Sequence, residues 1–325
     1  MVIKDLNMRA SAEATPPRPH RRKPPTMTAR VRRHWQLYLV IALPTLFLLV
    51  FNYYPMAGAQ IAFRNYNPLQ GIWGSPWIGW QEFSFFYHSP YFWEVIDNTL
   101  RISLYTILVG TPITIGFALA VNELRHGAFR KWVQTVSFIP YFISVVVIVA
   151  MMQIVLSPSS GPYFLITQLL GIHQPPDLLS SAGAFPSLYV WSGIWQTTGY
   201  SAIIYLAALA HVNVELYDAA RIDGASRWQR MRHIDWQAIK PTVVILVILS
   251  VGTILSVGFE KDYLLQNPLN LNTSEIISTY TYKMGILDAN FSFAAAVGLL
   301  NSGVGFILVL LVNFVARYVS DTTLF

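Results

Sequence analysis

Six side chains able to hydrogen-bond or to stack interrupt or border runs that are otherwise apolar: Gln153, Trp195, Gln196, Tyr200, Glu260 and Asn301. Polar groups in such surroundings are costly, so they face a cavity, a partner helix or one another. Amides that both donate and accept, set beside aromatic faces, suit a polyhydroxylated ligand. Its hydroxyls take hydrogen bonds in the ring plane and its C–H faces rest on indole or phenol. Interhelical hydrogen bonding and interfacial anchoring account for the same residues equally well. Bond-breaking chemistry has no such constellation. There is no Cys, hence no thiolate metal site and no Cys nucleophile. The histidines (His20, His34, His88, His126, His173, His211, His233) are scattered without ligand spacing. Neither a Ser/His/Asp set, nor paired carboxylates in an apolar run, nor a GxxxxGK[ST] phosphate loop occurs. The chain is therefore expected to be no enzyme, to hold no metal and to bind no cofactor of its own.

A second group of residues is polar and clustered. Glu215–Pro241 reads ELYDAARIDGASRWQRMRHIDWQAIKP and carries Arg221, Arg227, Arg230, Arg232 and Lys240. Asp218-Ala219-Ala220 lies in a short helix former. Asp223-Gly224-Ala225 breaks it, since glycine accepts the left-handed conformation that ends a helix. Ser226 with Gln229 three residues on is a capping-box pattern that starts a second helix. Helix, glycine turn, helix is the expectation for this segment.

The elements that position these groups follow from composition. Of 325 residues 54% are hydrophobic and 12% charged, against about 25% charged in soluble domains; a bilayer is the natural solvent. Apolar runs long enough to cross it lie near 36–57, 94–121, 132–156, 186–210, 242–259 and 291–317. Residues 1–35 read as a basic, disordered tail, 36–317 as a six-span domain containing a polar loop at 210–241, and 318–325 as a short C-terminal tail. Eighteen of the 22 Lys and Arg fall in the N-terminal tail, the 122–131 loop, the 210–241 loop and, with Arg317, at the end of the last run; four (Arg64, Arg101, Lys261, Lys283) fall on the other side. That bias places both termini and the Glu215–Pro241 loop in the cytoplasm. The basic run at Arg18–Lys23 is read as part of this topology signal, with no nucleic-acid partner.

The segment Asp218-Ala219-Ala220-Arg221-Ile222-Asp223-Gly224-Ala225, followed by Ile234 and Pro241, resembles the "EAA" signature of ABC importer permeases, with Asp218, Met231 and Gln237 as departures. Tyr54–Gly58, Ala62–Pro68 and Gly74–Gly79, with Asn267-Pro268 and Ala295–Leu299, are similar to the polysaccharide branch of the carbohydrate importer permeases, which includes importers of uronate oligomers and alginate. The resemblance implies an all-α membrane protein with six transmembrane helices of the maltose-transporter-like type in a bacterial inner membrane. It also implies a second related permease, two ATPase subunits that hold ATP and Mg, an extracytoplasmic solute-binding protein and an oligosaccharide substrate. Asp218, Ala219, Ala220, Asp223, Gly224, Ala225, Arg227 and Ile234 would form the ATPase-coupling surface. An ion-gradient-driven secondary sugar transporter is the alternative; it calls for ionisable groups in mid-span and no coupling loop.

Overall fold

In hydrocarbon the backbone can satisfy its own polar groups by coiling into helices, and the computed structural model is built of helices with one isolated bridge (Arg64 to Trp77) among the residues it describes, 35–124 and 127–319. The tail before Trp35, Arg125, His126 and the last six residues lie outside these. In chain order the elements used below are α1 (Trp35–Phe63), α2 (Phe92–Asn122), α3 (Ala128–Phe142), α4 (Val145–Val155), α5 (Phe185–Ala210), α6 (Val214–Ile222), α7 (Arg227–Gly252), α8 (Phe259–Leu265), α9 (Ile277–Tyr282) and α10 (Phe291–Arg317). α1, α2, α7 and α10 are each long and apolar enough to cross a membrane; α3 with α4 and α5 with α6 qualify as bent pairs, giving up to six crossings. The chain divides into two compact units, Met1–Ala57 and Gly58–Phe325. The first contains the apolar stretch from Trp35; all that follows concerns the second.

Three departures from the sequence expectation have physical causes. The third span is not one rod. α3 ends in a tight turn at Ile139–Phe142, and the chain resumes as α4 at an angle of 97°. Pro140 occupies the first tight turn, and the Ser144 side chain caps the new helix by accepting from the Val147 amide at 3.4 Å. The fifth span starts 15 residues earlier than its hydropathy indicates: Arg227 to Gly252 is one continuous helix with a wide turn at Met231–Asp235, and Pro241 lies inside it. It also stops early, at Gly252 and not near Phe259. The stretch 260–290, expected as a loop, is packed structure. Ile276, Ile277 and Thr279 are fully buried there, and Tyr280, Phe293 and Val297 complete a core with Phe86 and Val95.

Polar side chains of α2 hold this outer structure. Asn98 Nδ2 donates to the carbonyls of Asn272 (3.1 Å) and Glu275 (3.0 Å), Thr99 Oγ1 accepts from the Ile277 amide at 3.0 Å, and Ser103 Oγ donates to the Ile254 carbonyl. A backbone that leaves helical geometry near a bilayer needs such partners, because no water is on hand to supply them. Elsewhere small residues let helices touch. A Cβ added to Gly199 of α5 would collide with the Ser137 backbone of α3, and one added to Gly305 of α10 would collide with the Gly252 carbonyl of α7.

Candidate functional site

A cavity of about 760 Å³ lies among α2, α5, α7 and the start of α8. Thr106, Thr111, Thr197, Ser201 and Ser250 give it hydroxyls, and Gly110 and Gly193 give it open backbone. The α2 wall includes a wide helical turn at Thr106–Gly110, a distortion frequent at functional sites. Of the six residues singled out from the sequence, Gln196, Tyr200 and Glu260 line this space. Two of these three have structural work as well. Gln196 Nε2 donates at 3.1 Å to the Ile143 carbonyl, which the break between α3 and α4 leaves without a helical partner. Tyr200 stacks on Tyr141 with centroids 3.8 Å apart and planes 5° from parallel. Together they fasten the bend.

The other three lie elsewhere. Trp195 belongs to a separate apolar groove of about 370 Å³ with Met151, Met152 and Leu188. Gln153 is exposed on α4. Asn301 is half-buried on α10, and its Oδ1 has no partner among the described residues. None of the three lines the large cavity. The side chain of an α-helical residue is placed by rotation about an axis that hydropathy alone does not orient.

The outer basic residues also settle differently from a simple loop reading. Arg64 is engaged by its own loop: Nη1 donates to the Ser75 carbonyl at 2.8 Å, and the guanidinium sits 5.6–5.8 Å from the ring centres of Trp77 and Trp73. Lys283 pairs with the buried Glu275 at 2.7 Å. Lys261, expected at the start of an outer loop, is buried on the cavity wall, and Asp262 beside it is fully buried. No hydropathy signal marks either, since both stand in a short polar triplet whose burial is created by α4, α5 and α9. Nearer the loop tip, Asn290 Nδ2 donates to Glu82 at 3.5 Å; burial pushes the Glu82 carboxyl above its ordinary value, and this bond partly offsets that.

The Glu215–Pro241 segment has the expected punctuation. Gly224 has φ +74°. The Ala225 amide donates to the Ala220 carbonyl (2.8 Å) and the Gly224 amide to the Arg221 carbonyl (3.1 Å), the paired bonds of a Schellman ending. Ser226 and Gln229 complete the capping box. Asp218, Ala219, Asp223, Gly224 and Arg227 are exposed. Asp218 holds an exposed ion pair with Arg221 at 3.1 Å, which is weak enough for a partner to displace. Ala220, Asp223, Ala225 and Ile234 line a shallow cleft of about 290 Å³. The segment is fixed from below. Arg230 meets Glu123, just past the end of α2, at 3.6 Å with both side chains largely buried, and Tyr217 donates to the fully buried Asp235. Glu123→Lys should destabilise the folded chain by about 1–3 kcal/mol, short of the full cost of a broken buried pair, and Arg230→Glu in the same chain should restore most of that. Thermal melting of the single and double variants checks the pairing, and additive losses would refute it.

Most of the cavity wall and all of the Glu215–Pro241 segment fall within residues 112–321, which match the family described as the binding-protein-dependent transport system inner membrane component. The chain belongs to that family. The permease is 40% identical over 283 residues to the polygalacturonan/rhamnogalacturonan transport system permease protein YteP of Bacillus subtilis (strain 168), covering 86% of this chain and 87% of the relative. It is 38% identical over 300 residues to Protein LplB of the same organism, covering 92% and 93%. Among solved structures it superimposes with a TM-score of 0.83 on a chain of a bacterial alginate ABC transporter in complex with an alginate pentasaccharide-bound periplasmic protein, at 34% identity and covering 92% of this chain and 99% of that one. A second structure, of a bacterial ABC transporter involved in the import of the acidic polysaccharide alginate, gives 0.82 at 35% identity over 90% and 98%. The resemblance to ABC importer permeases and the all-helical membrane fold therefore hold. The ion-gradient alternative has no support, because the family is defined by dependence on a binding protein.

Proposed function

We propose that this permease forms half of the translocation pathway of an ATP-driven importer of acidic oligosaccharides, uronate polymers such as alginate being the favoured class. The observation that carries this reading is the near-complete superposition, at 34–35% identity, on chains of an alginate importer, together with a relative whose substrates are galacturonans. A cavity of about 760 Å³ whose largely apolar wall carries several hydroxyls and the Gln196 amide is large enough for part of a saccharide chain. A second, related permease completes the pathway. An extracytoplasmic binding protein delivers the oligosaccharide, and two ATPase subunits that hold ATP and Mg supply the energy. Residues 215–241 dock one ATPase on the cytoplasmic side, with Asp218, Ala219, Ala220, Asp223, Gly224, Ala225, Arg227 and Ile234 as its surface. Both termini face the cytoplasm, and the basic bias supports this orientation.

The test is ATP hydrolysis by the reconstituted complex in the presence of its binding protein. Oligouronates should raise hydrolysis several-fold over the unloaded binding protein, while neutral oligosaccharides of the same length should not. Stimulation by neutral sugars alone would overturn the acidic-substrate reading and leave the permease assignment standing.

A further inference from the structure

We infer that Lys261 is the contact in this permease that reads the carboxylate of the passing sugar; the inference rests on the acidic-substrate reading above. Among the described residues, Lys261 is the one cationic side chain on the wall of the large cavity, which otherwise carries hydroxyls, the Gln196 amide, apolar groups and a single carboxylate, Glu260. The lysine is 7% exposed. Its Nζ donates to the Tyr189 carbonyl at 2.7 Å and lies 4.7 Å from the Tyr189 ring centre. Both of those partners are neutral. No carboxylate comes within ion-pair distance of it among the described residues, although Glu260 and Asp262 are its sequence neighbours.

An ammonium held so far from water normally recruits an anion. It has three N–H donors, and the carbonyl takes one and the ring face another. The remaining donor has no protein partner among the described residues, and the ammonium abuts Gly193, a cavity-lining residue of α5: a Cβ built there would stand 3.4 Å from Nζ. With hydrogen at Gly193, a ligand in the cavity can approach the charge closely. A carboxylate on a sugar ring meets the requirement, forming a charge-assisted hydrogen bond that a hydroxyl cannot equal. Glu260, exposed on the same wall, opposes tight retention of an anion. One cation beside one anion recognises a carboxylate without trapping it, as a transport pathway requires.

The experiment uses the complete importer in proteoliposomes, with its binding protein and a defined oligouronate, and measures uptake alongside ATP hydrolysis. Glutamine keeps an N–H for the Tyr189 carbonyl and loses the charge; arginine keeps both. Lys261→Gln should lower oligouronate uptake about tenfold, with assembly and melting of the complex within the wild-type range. Lys261→Arg should retain at least half of wild-type uptake. Uptake unchanged in Lys261→Gln would overturn the assignment. So would equal losses in both variants accompanied by poor assembly, since that marks a tether between α8 and α5. A wild-type importer that carries only neutral oligomers would overturn the acidic-substrate reading and this inference together, whereas wild-type uronate uptake with an indifferent Lys261→Gln overturns this inference alone.

Discussion

Gly199→Ala is expected to cost the permease most of its folded, assembled yield. The added methyl would land on the Ser137 carbonyl of α3. Backbone cannot swing aside as a flexible side chain can, so α3 and α5 must separate. Overpacking of this kind costs about 1–3 kcal/mol. Here the separation also pulls Tyr141 from Tyr200 and strains the Gln196 bond to the Ile143 carbonyl, the two attachments that hold the 97° bend. The variant should melt several degrees lower in detergent and elute largely as aggregate in size-exclusion chromatography. Gly116→Ala is the control. A Cβ there meets nothing within 4 Å, and alanine in a helix interior gains up to about 1 kcal/mol over glycine. Equal melting of the two variants would mean that the α3–α5 contact is not the fastening described above.

Gly224→Trp should leave the permease inserted and paired with its partner permease while binding-protein-stimulated ATP hydrolysis falls to the unstimulated level. No atom lies within 4 Å of a Cβ built at Gly224, yet its φ of +74° makes any L side chain strained, by about 1–2 kcal/mol. The exposed site accepts that locally, so the fold survives. What changes is the surface: an indole stands where the turn between α6 and α7 would present Ala219, Asp223 and Ala225 to the proposed docking partner. Asparagine tolerates the left-handed conformation and adds little bulk, so Gly224→Asn should keep a substantial part of the stimulated rate. Wild-type stimulation in Gly224→Trp would remove the docking role from this loop.

The positions of several elements were readable because each leaves a local mark. Continuous apolar runs bound α2, α5 and α10 within a few residues. Gly224, Ser226 and Gln229 name their own turn and cap, and the structure has both. The bend at Ile143–Ser144 was not readable, because Val145–Val155 continues the apolar run without interruption and Pro140 alone is compatible with a kink or a straight helix. The continuity of α7 from that cap into the fifth span was hidden for the opposite reason. Its first turns are polar, and hydropathy reports solvent, not coiling. Burial of Lys261 and Asp262 depends on α4, α5 and α9 meeting over residues far apart in sequence. Asn98, Thr99 and Ser103 could have been found as a polar run at the outer end of an apolar helix. For Gln196 and Tyr200 the two explanations offered by the sequence are not exclusive: each lines the cavity and each ties two helices together.

The continuity of α7 has a mechanical consequence. Arg227 and Gly252 are the ends of one rod, about 37 Å apart at 1.5 Å per residue. One end carries the proposed docking surface; at the other, the Gly252 backbone lies close against Gly305 and the Val309 side chain of α10. A rod on a close fulcrum is a lever. A tilt of about 10° at Gly252 sweeps the Arg227 end through about 6 Å, and the same geometry run backwards turns a displacement of that size, imposed at the Arg227 end, into a small rotation beside Leu246, Val247 and Ser250, where α7 forms part of the cavity wall.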